Sequence, residues 1–88
     1  VDKYAGEYSV DSNVLRHVAI CESGFRPDAA NGIYGGLYQF APRTWATYRA
    51  KMNEDGEANL RFDGQAAVKT AAYVFSIGMQ KIWPNCVP

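Results

Sequence analysis

Two cysteines, Cys21 and Cys86, stand near opposite ends of the working part of an 88-residue chain. A chain this short buries a limited core and is often held together by an added constraint. Joined as a disulfide, the pair would close most of the chain into one loop, worth about 4 kcal/mol in chain entropy. Such a bond suits a small exported domain. The other reading is two unrelated buried thiols in a cytosolic protein. Zinc is disfavoured under either reading, because the spacing is wrong and two thiols with one histidine, His17, make a poor ligand set. No metal and no cofactor is called for.

The length fits one domain over 1–88. Lys plus Arg and Asp plus Glu balance at nine each, which argues against nucleic acid, whose phosphates need a cationic surplus. It argues equally against a polybasic membrane patch. No apolar run approaches bilayer length, and no charged-then-apolar leader precedes Val1. A monomer that meets a neutral or mixed polymer such as a glycan is compatible with this balance.

Along the chain, Ser12 is placed to cap a helix from about Asn13 to Glu22 or Ser23, with Gly24 as its stop. Residues 1–11 are expected to form a short helix or an arm. Residues 25–41 are rich in Gly, Asn, Asp and Pro. Within them Ile33-Tyr34 and Leu37-Tyr38-Gln39-Phe40 are expected to pair as a hairpin around Gly35-Gly36. Pro42 suits a first helical turn, and Trp45, Tyr48 and Met52 recur at helical spacing. A polar, turn-rich stretch fills 53–64, an alanine-rich helix runs from about Gln65 to Ile77, and 78–88 is an irregular tail. The class is mainly α, with about three main helices and a short hairpin or loop.

Glu22 carries the chemistry. At 100° per residue Val14, Leu15, Val18, Cys21 and Glu22 share one side of the first helix. A carboxylate on an apolar stripe is costly unless protonated, and in the last helical turn the dipole disfavours its charge as well. Both effects raise its pKa, as general-acid cleavage of a glycosidic bond requires. The plain alternative is a side chain that snorkels to water at a fraying helix end. Tyr34, Tyr38 and Trp45 follow in or just beyond the glycine-rich loop. Aromatic faces suit the apolar C–H patches of pyranose rings, and the Gln39 amide can bond hydroxyl or acetamido groups. The alternative for each aromatic is core packing, a reading favoured singly for Phe40 and Trp45; the cluster beside a candidate acid favours a groove.

The run Cys21-Glu22-Ser23-Gly24, then Tyr34-Gly35-Gly36-Leu37-Tyr38-Gln39-Phe40, then Pro42-Arg43-Thr44-Trp45, resembles the lysozyme-like lytic transglycosylases. Gly36 to Trp45 is similar to the soluble lytic transglycosylase pattern G-L-x-Q-F-x-P-x-T-W. The Cys-Glu pair, the Tyr-Gly-Gly step and Trp83-Pro84-Asn85-Cys86 resemble resuscitation-promoting factors, where a Cys beside the catalytic Glu pairs with one after a late Trp-Pro. The resemblance maps Glu22 onto the catalytic acid and Gln39 onto a groove glutamine. Two departures stand out. Tyr38 is an extra residue relative to the resuscitation factors. Ala72-Tyr73-Val74-Phe75-Ser76 keeps the Tyr of the transglycosylase Ala-Tyr-Asn-Ala-Gly motif but has Val74 for Asn. Tyr73 is thus a candidate binder or a packing residue.

The resemblance implies an extracytoplasmic enzyme that cuts the β-1,4 bond between N-acetylmuramic acid and N-acetylglucosamine in peptidoglycan. It also implies a lysozyme-like fold and 1,6-anhydro ends. Many glycosidases use two carboxylates. Asp28 is the nearest further candidate, although after Pro27 it reads first as a turn residue; Glu54, Asp55, Glu57 and Asp63 read as solvated charges. His17 has no evident partner for a triad. A hydrolytic lysozyme is the near alternative, followed by a non-catalytic peptidoglycan-binding module and a small cytosolic interaction domain. If Cys21 pairs with Cys86, Trp83 is expected to wall the cleft near Glu22.

Overall fold

The computed structural model describes residues 1–87; Pro88, the last residue of the expected domain, lies outside them. The first eleven residues settle as a short helix, α1 (Asp2–Glu7), anchored by buried Ala5. Helix α2 (Ser12–Ser23) follows. Its cap is Asp11 rather than Ser12: the Asp11 carboxylate accepts from the Asn13 N–H at 2.8 Å. The helix ends at Gly24, in the left-handed region at φ 66°.

The hairpin forms earlier in the chain than its glycines suggest. Strand β1 (Ala30–Asn31) pairs antiparallel with β2 (Tyr34–Gly35), Ala30 opposite Gly35 and Asn31 opposite Tyr34. The turn is Gly32-Ile33, and the expected pairing across Gly35-Gly36 survives only as a single bridge between Gly35 and Phe40. Helix α3 (Pro42–Lys51) starts with Pro42 in its first turn, where the missing N–H costs nothing. The polar stretch after it holds an unexpected 3-10 helix (Ala58–Phe62). Asp63 then caps α4 (Gly64–Ser76), its carboxylate accepting from the N–H groups of Gln65 and Ala66. A short 3-10 turn (Gln80–Ile82) precedes the tail. The result is a mainly helical α+β fold of lysozyme-like kind.

Helix α4 explains the packing. Ala67, Ala71 and Ala72 are small enough to let neighbouring helices approach, and all three are buried. Around this helix gather Leu15, Val18 and Ala19 of α2, Trp45 and Tyr48 of α3, and Leu37, Tyr38 and Phe40 of the loop. Trp83 of the tail completes the core. Its ring lies 5.6 Å from Tyr38, 5.7 Å from Phe40 and 5.4 Å from Phe75, and its indole N–H donates to the Tyr38 carbonyl at 2.8 Å. Buried aromatics with satisfied polar tips bring large apolar area without an orphaned donor. Cys21 and Cys86 form a disulfide, with their Cα atoms 5.6 Å apart. It fastens the tail to the last turns of α2, so the core aromatic Trp83 and the Glu22 turn are held by one covalent link.

Candidate active site

Glu22 emerges where the buried line of α2 reaches the surface. That line is Leu15, Val18, Ala19 and Ser23, while Cys21 is exposed. Glu22 follows Val18 and Ala19 at helical spacing and is itself half-buried. Burial pushes its carboxyl pKa above the usual carboxylate range. No cation offsets the shift, and among the described residues no side-chain or backbone donor is bonded to the carboxylate. The helix dipole acts in the same direction. An unpartnered acid, partly withdrawn from water, is a proton donor awaiting an acceptor.

Two cavities meet at this residue. One, of about 350 Å³, runs from Glu22 past Arg26 and Ala29 along β1. The other, of about 250 Å³, runs from Glu22 past Tyr34 to Trp83, Pro84 and Asn85. Glu22, Asn31 and Gln39 belong to both, so the two are lobes of one groove with the acid at its waist. Among the described residues lining it, Glu22 is the single carboxylate. Asp28 is exposed and lines neither lobe, sitting in the Arg26–Ala29 turn closed by a 3.2 Å backbone bond. His17 is exposed and lines neither lobe.

The opposite wall is set by backbone. Gln39 takes a left-handed conformation, φ 53°, and its Nε2 donates to the carbonyls of Ala29 at 3.2 Å and Gly36 at 2.9 Å. This ties the start of β1 to the loop after β2. It also commits the amide nitrogen to protein carbonyls and leaves Oε1 with no protein donor among the described residues. Tyr34 is 50% exposed, which leaves it open for stacking, while Trp83 is 2% exposed and contributes only a rim at the floor of the same lobe as Tyr34.

Three residues considered for the groove are elsewhere. Tyr38 is fully buried and its hydroxyl donates to the Leu15 carbonyl at 2.9 Å, bracing α2 from below. Burial also raises the Tyr38 pKa, so that hydroxyl stays a donor. Trp45 is fully buried, its indole N–H donates to the Glu57 carbonyl at 3.0 Å, and the Arg49 guanidinium lies over its ring. Tyr73 packs edge-on against Tyr8 and Tyr48, away from both lobes. All three rings pack against neighbours and line neither lobe, on faces that local periodicity does not distinguish from the groove.

Arg61 was not singled out from sequence. Its Nη1 donates to the carbonyls of Ile33 at 2.9 Å and Phe40 at 2.8 Å, while Nε donates to Ala58 at 2.8 Å. It thus latches the hairpin turn and the loop end to the 3-10 helix. Gly36 permits this contact, since a Cβ there would stand 1.9 Å from the Arg61 carbonyl oxygen. Asn31, which lines both lobes, is likewise not among the candidates that the sequence singles out.

Residues 1–85 match the family model described as Transglycosylase SLT domain. The chain belongs to this family. The transglycosylase SLT domain acts on peptidoglycan, an extracytoplasmic polymer, so the chain is an enzyme of the lysozyme-like glycosidase kind. No curated protein and no solved structure matches it. Among the described residues no group of acidic, His or Cys side chains is arranged to hold a metal ion, and no helix is long and apolar enough to cross a membrane.

Proposed function

We propose that this transglycosylase domain, spanning 1–88, cleaves the β-1,4 bond between N-acetylmuramic acid and N-acetylglucosamine and releases 1,6-anhydro ends. The observation that carries this reading is the groove with one carboxylate at its waist: Glu22, half-buried and unpartnered. A two-carboxylate mechanism needs a second acid across the scissile bond, and the lining offers none among the described residues. Glu22 donates its proton to the leaving glycosidic oxygen as the C1–O bond breaks. The substrate's own acetamido oxygen shields the cationic C1. Ionised Glu22 then takes the proton of the 6-hydroxyl as O6 bonds to C1. The acid is restored, and no water is consumed. Tyr34 offers a ring face to a sugar, and Gln39 Oε1 and Asn31 supply polar contacts in both lobes.

The Cys21–Cys86 link and the Tyr34-Gly35-Gly36 step favour the resuscitation-factor branch and a secreted or envelope setting for a monomeric domain. The disulfide is the observation that supports the setting. Digestion of cell walls by the wild type and by Glu22→Gln tests the role of the acid. Loss of nearly all cleavage in the variant, with retained wall binding, is expected. Equal digestion by the variant would remove Glu22 from the mechanism. Wall binding without cleavage by the wild type would leave only a binding module.

A further inference from the structure

A third concave surface lies beyond the Trp83 end of the groove. It is a cavity of about 570 Å³ between α3 and the segment that follows α4. Its apolar side includes Ile77 and Met79, which are 42% and 48% exposed, and Ile82. Its other side carries Thr47 between Arg43 and Lys51, two exposed cations. Neither cation has an ion-pair partner among the described residues, and no carboxylate lines the cavity. Ile82 also lines the Trp83 lobe of the groove, so the two hollows share a wall.

We propose that this cavity takes the acidic peptide stem of peptidoglycan while the glycan strand occupies the groove; the inference rests on the glycan-cleaving reading above. The chemistry of the stem fits both halves. Alanine methyls and a peptide backbone suit an apolar floor with a hydroxyl beside it, and free carboxylates suit Arg43 and Lys51. Spacing fits as well. Eight residues along a helix span about 12 Å, which an extended peptide covers in roughly four residues. Two carboxylates that far apart along one stem would each meet a cation. The shared Ile82 wall lets a stem branch from a sugar beside Glu22 without leaving the surface. Polymer that carries stems is therefore selected over bare glycan, and the selection weakens with salt, because exposed charges are screened over about 8–10 Å.

The test compares cleavage of intact peptidoglycan with cleavage of the same strands stripped of stems by an amidase. The readout is the ratio of the two rates for the wild type, Arg43→Glu/Lys51→Glu and the milder Arg43→Gln/Lys51→Gln. Charge reversal is expected to lower the ratio about tenfold, given modest worth for each exposed pair, and neutralisation less. In parallel, a synthetic tetrapeptide stem with free carboxylates is titrated into the whole protein. Methyl signals of Ile77, Met79 and Ile82 should shift in the wild type and shift less, at the same peptide concentration, in the Gln variant. An unchanged ratio in the reversed variant, or silent methyls in the wild type, overturns the stem site. If the wild type cleaves neither polymer, the glycan-cleaving reading fails and the methyl titration alone decides the stem site.

Discussion

Gly36→Ala and Gly32→Ala form a matched pair that isolates how the groove wall is held. Both glycines have positive φ, 84° and 62°, so alanine at either position carries the left-handed penalty, about 1–2 kcal/mol. They differ in space. A Cβ at Gly32 meets nothing within 4 Å, whereas one at Gly36 stands 1.9 Å from the Arg61 carbonyl oxygen. Backbone on both sides must then part by about 1.5 Å to reach ordinary contact, which adds about 1–3 kcal/mol of overpacking. Gly36→Ala is thus expected to cost about 2–5 kcal/mol, against about 1–2 for Gly32→Ala. At 4–8 °C per kcal/mol for a domain this size, the two melting temperatures should separate visibly. Gly36 also accepts from Gln39, through both the backbone N–H at 3.2 Å and the side-chain amide at 2.9 Å. Its displacement should therefore reach the groove. A misplacement near 1 Å at a positioned group can cost about a hundredfold in rate, so Gly36→Ala should lose cleavage well beyond its unfolded fraction and Gly32→Ala should not. Urea unfolding and wall digestion on the two variants decide the matter. Equal destabilisation, within about 0.5 kcal/mol, would mean that the Gly36–Arg61 approach does not hold the wall.

Four further outcomes are expected. Replacing both cysteines, Cys21→Ala/Cys86→Ala, should cost about 4 kcal/mol, or roughly 20 °C in melting temperature; a shift under about 5 °C would show that the link constrains little. The raised pKa of Glu22 in the folded state means that stability falls as pH rises from the unfolded carboxylate pKa through the folded one. Glu22→Gln should therefore melt above the wild type at neutral pH and match it in acid, where both side chains are neutral; the opposite order would contradict the burial account. Cleavage itself should decline as pH rises through that same elevated pKa, because the leaving oxygen needs the protonated acid, and a rate that climbs there would reverse the assignment. Arg61→Met keeps the stem but removes three donated bonds, and should cost about 1–3 kcal/mol while raising KM more than it lowers kcat; an unchanged KM would make the latch purely structural.

Local features of this fold were legible in the sequence because their causes are local. The α2 period, the Gly24 stop, the Pro42 start and the placing of Glu22 on a line of buried residues all depend on neighbours within one or two turns. Even there the cap moved from Ser12 to Asp11, since either residue can accept from the first free N–H groups. Tertiary features were hidden. Gly35 and Gly36 resemble a hairpin turn, but their lack of side chains serves close contact with Phe62 and Arg61, about 25 residues away. Periodicity could not sort the aromatics: Tyr34 faces water, whereas Tyr38 and Trp45 find hydrogen-bond partners at Leu15 and Glu57 that only the folded chain supplies. Arg61 has no local signal to mark it, because its bonds to the Ile33 and Phe40 carbonyls exist only in the folded chain. The motif that signals the family thus mixes residues that line the groove with residues that only hold its walls.

The product formed in heavy-oxygen water tests the central claim most directly, that one carboxylate serves as both acid and base with the sugar's own hydroxyl as acceptor. Mass spectrometry of the released muropeptides should show ends lighter by one water and free of heavy oxygen in the wild type, and no new ends with Glu22→Gln. Reducing ends carrying heavy oxygen would show that water is the acceptor, and would contradict the anhydro route even if Glu22 remained essential.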